Sequence, residues 1–403
     1  MNRDLWSLVG AQAFFVIGNM MLLPVLPVLG LQMSENARFS TLPVAINMLT
    51  MLVCSIPISL WMGKKGRKPA FLAGMMASGV AAIVLFAAIQ ESSFVLLLIG
   101  CVCFGMAMSC ANFYRFAATE LVRVDAHSTA VSAVMAVGVV AALVGPNLAA
   151  LTKSAFFDLD FSASVLALFP LSALGALLVL RVRWPVHQHV SSLGADAGSA
   201  DATAEEKYLN SGIFWRPVLT AMLGYGVMVL VMSATPLHMN HHGYDFKETA
   251  WVIQWHVLGM FAPSFFFGRL VQWLSLIGLM IVGVLVLISA LLMNIYGGGM
   301  AILTLALILT GVGWNFMFLG ASQWLVTLCG DHGLTKTSMA KVQGINEVCV
   351  FGLSGLAAFG SGWLIDSVGW KAVNYMSLPL LLALLCVLVL DARFSSKTAL
   401  SSS

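Results

Sequence analysis

The hydrophobic positions of this chain neither alternate nor keep to one helical face; they run on, broken only by charged or turn-rich segments. Runs of about 18 or more largely apolar residues recur at residues 5–31, 40–62, 70–89, 94–118, 129–151, 161–180, 213–237, 249–268, 276–296, 301–328, 345–365 and 373–390. A stretch such as VLVLISALLMNI is apolar at nearly every position, whereas a barrel strand would place polar residues at every second one. Each run therefore predicts a lipid-spanning helix, and the chain reads as an all-α polytopic membrane protein with 12 spans. The first run extends well past the length of a signal-peptide core, so it is expected to be retained as a span.

The 20 lysines and arginines test that count independently. With the N-terminus inside, 15 of them fall on the inner face, only Arg38, Lys153, Lys247 and Lys371 fall outside, and Arg115 lies within a span. This is the asymmetry that cytoplasmic loops carry. It predicts both termini inside the bacterial cytoplasmic (inner) membrane. Composition agrees: 60% of the 403 residues are hydrophobic and 9% charged, against about a quarter charged in soluble domains. The seven cysteines sit in or at the ends of apolar runs without paired spacing, and read as small packing residues.

One long polar break, residues 186–212, is rich in Ala, Ser, Asp and Gly and lacks the apolar content to fold. It divides six spans from six. The predicted organisation is an N-terminal six-helix bundle over 1–184, a cytoplasmic linker over 185–212, a C-terminal six-helix bundle over 213–391 and a cytoplasmic tail over 392–403. The halves echo each other weakly: Asn112-Phe113 recurs as Asn315-Phe316, and at the same offset Ala118-Thr119-Glu120 meets Ala321-Ser322-Gln323. Duplicated halves are how many secondary transporters place a site at the bilayer midplane.

The basic turn GKKGRKP, residues 63–69, is similar to the loop signature G-x-x-x-D-R-x-G-R-R/K of the major facilitator superfamily, with Gly66, Arg67 and Lys68 matching its end. Together with the 6+6 arrangement, the whole chain resembles that superfamily. Ser59 and Gly63 stand where the family has its first glycine and its acidic residue, and the corresponding turn of the second half has Gln272 at the acidic position. In the family such turns latch the cytoplasmic side. Here Glu120 is expected to pair with Arg67 and supply the missing carboxylate. Gly145-Pro146 in AALVGPNLAA is similar to the fifth-helix signature of the family's antiporters, but Cys101 replaces their span 4 arginine, so export does not follow. The resemblance implies two pseudo-symmetric bundles, alternating access, and a cavity surrounded by spans 1, 4, 7 and 10.

Ionisable groups in a span cost about 2.5–3.5 kcal/mol on insertion scales and so face a partner or a cavity. Arg115 cannot lose its proton, and needs an anion or several carbonyls. It is a candidate for holding the solute or for pairing with Glu347, and equally for a permanent structural ion pair. Glu347 and His256 are the buried groups that can exchange a proton if the site shifts them; a solvated helix end and a neutral helix-to-helix hydrogen bond are their plainer readings. Gln254 and His256 point about 200° apart on a helix, so His256 is expected to face protein, together with Trp255. His256 is also a candidate for lining the solute cavity, and with Arg115, Asn19, Asn112, Tyr225, Trp314 and Asn315 it makes up the expected solute-binding set, simple helix-to-helix bonding being the alternative for the uncharged residues. The coupling or gating set is Arg67, Glu120 and Glu347. His238, His241 and His242 near Asp245 have a spacing that could hold a metal, but histidines in a short outer loop are ordinarily solvated, and no metal is assigned.

No Walker motif is present, so energy would come from a proton gradient or from the solute's own gradient. The ionisable residues are scattered over helices and depths, which argues against an enzyme, and no catalytic residue or cofactor is expected. The leading function is a monomeric secondary transporter of a small organic, amphipathic or aromatic solute, with protons as the coupling partner, the lipid bilayer as its medium and no nucleic-acid partner. A sensor or assembly factor with a transporter fold is the alternative. Within transporters, export of a drug or siderophore and uptake of a vitamin-like solute both stay open.

Overall fold

In lipid no water is at hand to bond exposed backbone groups, so a spanning segment has to satisfy its own N–H and C=O groups, and these apolar runs do so as helices. A computed structural model describes residues 3–123, 126–155, 158–184, 209–334 and 336–401. Most of the predicted linker, residues 185–208, and the last two residues of the tail lie outside the described residues. Among the described residues ten helices are long and apolar enough to cross a bilayer, and a bent pair adds another.

The longest apolar segment, Lys341–Ala392, has 52 residues, about 78 Å of helix at 1.5 Å per residue against a hydrocarbon core of about 30 Å. It is two helices, consecutive in the chain and separated by a kink at Gly369, whose φ of 81° and ψ of 172° no helix contains. Twelve crossings result, as the apolar runs predict. Spans 1 to 7 are Arg3–Met33, Ala37–Lys65, Arg67–Gln90, Phe94–Glu120, His127–Thr152, Ser162–Arg181 and Gly212–His241. Span 8 is the bent pair Phe246–Phe265 and Phe267–Leu274, span 9 is Leu276–Tyr296, and span 10 is Gly299–Asp331. Spans 11 and 12 are the two parts of Lys336–Ser401 on either side of Gly369.

Two local features shape the elements that carry the site. Span 8 begins with a reciprocal cap, in which Asp245 Oδ1 accepts from the Glu248 N–H at 2.7 Å and Glu248 Oε2 accepts from the Asp245 N–H at 2.8 Å. Span 4 is interrupted between Ala111 and Tyr114 by a turn at Asn112 and Phe113.

The chain divides into two compact units. The first comprises Met1–Gln188 with Met232–Leu258 and Ala358–Ser367; it holds the first six spans together with the ends of spans 7, 8 and 11 that the charge pattern places outside. Its core lies along span 1, where Leu8, Met21 and Leu22 are fully buried. The second comprises His189–Val231, Gly259–Ala357 and Val368–Ser403, and its core lies along spans 9 and 10, where Leu279, Val284, Leu287 and Met317 are fully buried. Large apolar side chains such as Leu151, Val53, Met76 and Trp273 are exposed at 70% or more, which suits a surface solvated by acyl chains.

Candidate functional site

The densest group of functional side chains lies within the second unit, on spans 7, 10 and 11. Trp314 and Phe318 are four residues apart on span 10, so their rings share one helix face; they stack at 5.3 Å with planes 10° apart. Tyr225 of span 7 meets both edge-on, at 5.3 Å from Trp314 and 5.4 Å from Phe318, and also meets Phe351 of span 11 at 5.4 Å. The sequence around Tyr225 permits this: Gly224 and Gly226 flank it, and a Cβ at either would come to 3.0 Å from Met317 or Leu353. The Trp314 indole N–H is buried with no bonding partner. Glu347 of span 11 is half-buried and lies four residues before Phe351, on the same helix face. Four mutually packed rings, a carboxylate one turn from Phe351 and an indole donor unmatched among the described residues are the groups that stack a flat heteroaromatic molecule and bond its polar edge.

The first unit carries a separate polar set. After the interruption in span 4, Tyr114 turns into the core against Phe71 at 4.2 Å, while Arg115 is half-buried with its guanidinium 4.8 Å from the Phe116 ring centre. Arg115 Nε is buried with no hydrogen-bond acceptor. Asn112 is exposed at the interruption and Asn19 is half-buried on span 1. At the end of span 4, Arg67 donates through Nε at 3.0 Å and Nη2 at 2.7 Å to Glu120 Oε1. A carboxylate from span 4 thus serves the basic turn that lacks its own.

Span 8 departs from expectation in two ways. It is predicted to end near residue 268, with Gly259 and Pro263 allowing a bend; it does bend, by 67° after a short 3-10 segment, Ala262–Phe265, but it then continues to Leu274. Pro263 has no N–H for the carbonyl one turn back. Asn315 spans this break from span 10: its amide donates at 2.7 Å to the Met260 carbonyl and at 2.7 Å to Ser264 Oγ. Its amide nitrogen is thereby engaged in holding the bend.

The second departure concerns Trp255. The reading that Trp255 and His256 share a protein-facing side holds for His256, which is fully buried, but Trp255 is 37% exposed beside Trp251 at 47%. Gln254 is the buried neighbour instead, accepting from the Asn147 amide at 2.8 Å. The protein covers an arc wide enough to take both polar residues and leaves the two tryptophans outside it.

That amide pair is one of several contacts binding the outer ends of spans 8 and 11 into the first unit. Thr41 Oγ1 donates to the Phe359 carbonyl at 3.2 Å and accepts from the Gly362 N–H at 3.0 Å, and Arg38 Nε donates to Asp366 Oδ2 at 3.2 Å. Phe161 meets Phe246 edge-on at 4.7 Å. The Asn147–Gln254 pair yields a prediction. Interhelical bonds of this type average about 0.6 kcal/mol in membranes and reach about 1.7. A double-mutant cycle of Asn147→Leu and Gln254→Leu, read by thermal unfolding, is expected to return a coupling in that range; additive effects would show that the bond contributes nothing. Among the described residues no group of three or more His, Cys, Asp or Glu converges as metal ligands would, and His242 Nδ1 instead lies 2.9 Å from the His238 carbonyl.

Sequence reasoning singled out Tyr225 and Trp314 but missed Phe318, Phe351 and Asn147. The four-residue spacing of Trp314 and Phe318 was a usable signal. Phe351 comes from another span with no local mark.

The Major Facilitator Superfamily profile matches residues 8–358. The chain belongs to that superfamily. It is 31% identical over 392 residues to the riboflavin transporter RfnT of Brucella anthropi, covering 97% of this chain and 96% of that one. It is also 27% identical to the uncharacterized MFS-type transporter YddS of Bacillus subtilis, over 87% of this chain and 83% of that one. Among solved structures the fold is similar to the human organic anion transporter MFSD10 (TETRAN), with a TM-score of 0.66 at 16% identity over 96% of this chain and 99% of that one. It is similar also to a bacterial homolog of the human lysosomal transporter Spinster, with a TM-score of 0.65 at 16% identity over 97% and 95%. The chain is therefore a multi-pass membrane transporter, not an enzyme, and it acts on a small solute.

Proposed function

We propose that this superfamily member moves riboflavin, or a solute with the same kind of fused flat ring, across the bacterial cytoplasmic membrane by alternating access. The observation that carries this reading is the cluster of Tyr225, Trp314, Phe318 and Phe351. An isoalloxazine ring is flat, uncharged and polar along one edge, and such a ring gains most from aromatic faces with a few fixed donors. The likeness to RfnT over nearly the full length of both chains supports the same solute class. The test is equilibrium binding. Flavin fluorescence is quenched on stacking against an indole, so the purified protein is expected to quench riboflavin saturably, and ribitol, which has no ring, should not compete. Quenching that never saturates would overturn the assignment.

Both termini are assigned to the cytoplasm on the charge asymmetry of the loops. The moving bodies are the sequence-defined bundles 1–184 and 213–391, joined by the linker 185–212 and followed by the tail 392–403, and the chain works as a monomer. The contacts of Asn147, Thr41 and Arg38 hold the outer ends together in this state and release once per cycle. Arg67 and Glu120 form a latch that exchanges in the same cycle.

Protons are the coupling ion in this reading, and Glu347, half-buried on span 11 one turn from Phe351, is their carrier. Glu347→Gln is then expected to keep riboflavin exchange between equal pools at a rate near that of the unaltered protein, while losing accumulation driven by a pH gradient. Loss of both activities together would assign Glu347 to solute binding instead.

A further inference from the structure

At the end of the first unit that the charge pattern places in the cytoplasm, the turn between spans 2 and 3 and the end of span 6 enclose a groove of about 510 Å³. Its walls carry Lys65, Arg67, Lys68, Arg181 and Arg183, with Trp184 at one side. Among the described residues two carboxylates offset this charge: Glu120 accepts from Arg67, and Asp4 Oδ1 accepts from the Arg183 backbone N–H at 3.0 Å. Lys68 Nζ donates to the Leu180 carbonyl at 2.8 Å, which leaves its charge in place.

Two further features point the same way. Span 3 begins in this groove at Gly66, with no side-chain cap and no acidic residue in its first turn. Its first N–H groups therefore present partial positive charge without an anion. Trp184 Nε1 is a buried donor with no acceptor among the described residues. Excess cations, an uncapped helix start and an unmatched indole N–H all seek one kind of ligand, a compact anion with several acceptor oxygens. Leu180 beside them is exposed apolar surface, so the groove opens where a headgroup sits above its acyl chains.

We propose that this groove binds the phosphate of an anionic phospholipid headgroup. Basic pockets on the cytoplasmic side of membrane proteins take such headgroups through the same charges and donors. Arg67 lines the groove and also holds Glu120, so a phosphate seated there shares Arg67 with that carboxylate and acts on the latch as well as on stability.

The experiment uses the full chain in detergent and follows its thermal midpoint. Phosphatidylglycerol is expected to raise the midpoint by at least about 3 °C over an equal supply of phosphatidylcholine. The variant Lys65→Gln/Arg181→Gln/Arg183→Gln should lose that difference, while Arg269→Gln, outside the groove, should keep it. An equal response in the triple variant, or equal effects of the two lipids, would overturn the proposal. If inorganic phosphate or glycerol phosphate alone reproduced the whole shift, the source would be a free anion and the lipid assignment would fail. Native mass spectrometry of the unaltered chain gives a reading that needs no variant: preferential retention of one phosphatidylglycerol supports the site, and equal retention of both lipids contradicts it.

Discussion

Replacing Trp314 with alanine is expected to raise the KM for riboflavin transport by on the order of tenfold, because stacking a flat base on an aromatic side chain contributes roughly 1–3 kcal/mol. Tyr225 is the ring that joins the cluster, and the indole adds its broadest face and a donor. The indole stacks on Phe318 and meets Tyr225 edge-on, so alanine removes a solute face and two ring contacts at once. Trp314→Phe keeps a ring there and should recover most of the affinity, though not what the indole N–H contributes. Initial rates over a range of riboflavin concentrations, at equal amounts of folded protein, decide the matter. An unchanged KM in Trp314→Ala would remove this cluster from solute recognition.

The second large effect is expected at Gly145. A Cβ there would stand 2.6 Å from Met20 Cβ, 2.8 Å from the Met21 backbone nitrogen and 2.9 Å from the Ile17 carbonyl oxygen. These are atoms of span 1, two of them backbone, and they cannot rotate away as a side-chain tip can. Gly145→Leu must push spans 1 and 5 apart along the stretch that carries Asn19. Overpacking of this kind costs about 1–3 kcal/mol or more in a core. The expected outcome is a sharp fall in monodisperse protein on size exclusion, with the remaining fraction inactive in transport. Gly63→Leu is the control, since nothing lies within 4 Å of a Cβ at that position.

Much of the architecture was legible because in lipid the hydrophobic run itself is the element. The run lengths and the lysine and arginine asymmetry both lead to twelve crossings, and the described residues provide them. Glu120 was also readable as the partner of Arg67, since a basic turn without its own acid needs one from a neighbouring span at the same depth. What could not be read are contacts set by the geometry of two helices. Asn315 looks from sequence like any amide in a span. Its role depends on the break at Ala262–Phe265, some fifty residues earlier, where the Met260 carbonyl and Ser264 hydroxyl take its amide. Gln254 and His256 point apart on their helix, and only the arc of protein around span 8 explains why both are buried and Trp255 is not. Of the aromatic cluster, Trp314 and Phe318 share a span, whereas Tyr225 and Phe351 reach it from two others.

The most direct test of the account is counterflow in proteoliposomes. Vesicles holding the purified chain and loaded with unlabelled riboflavin are placed in trace labelled riboflavin. The account predicts a transient accumulation of label above equilibrium, absent from empty vesicles, suppressed by excess external riboflavin and untouched by ribitol. No accumulation above empty vesicles, in protein shown to be folded, would contradict the claim that this chain carries a flavin.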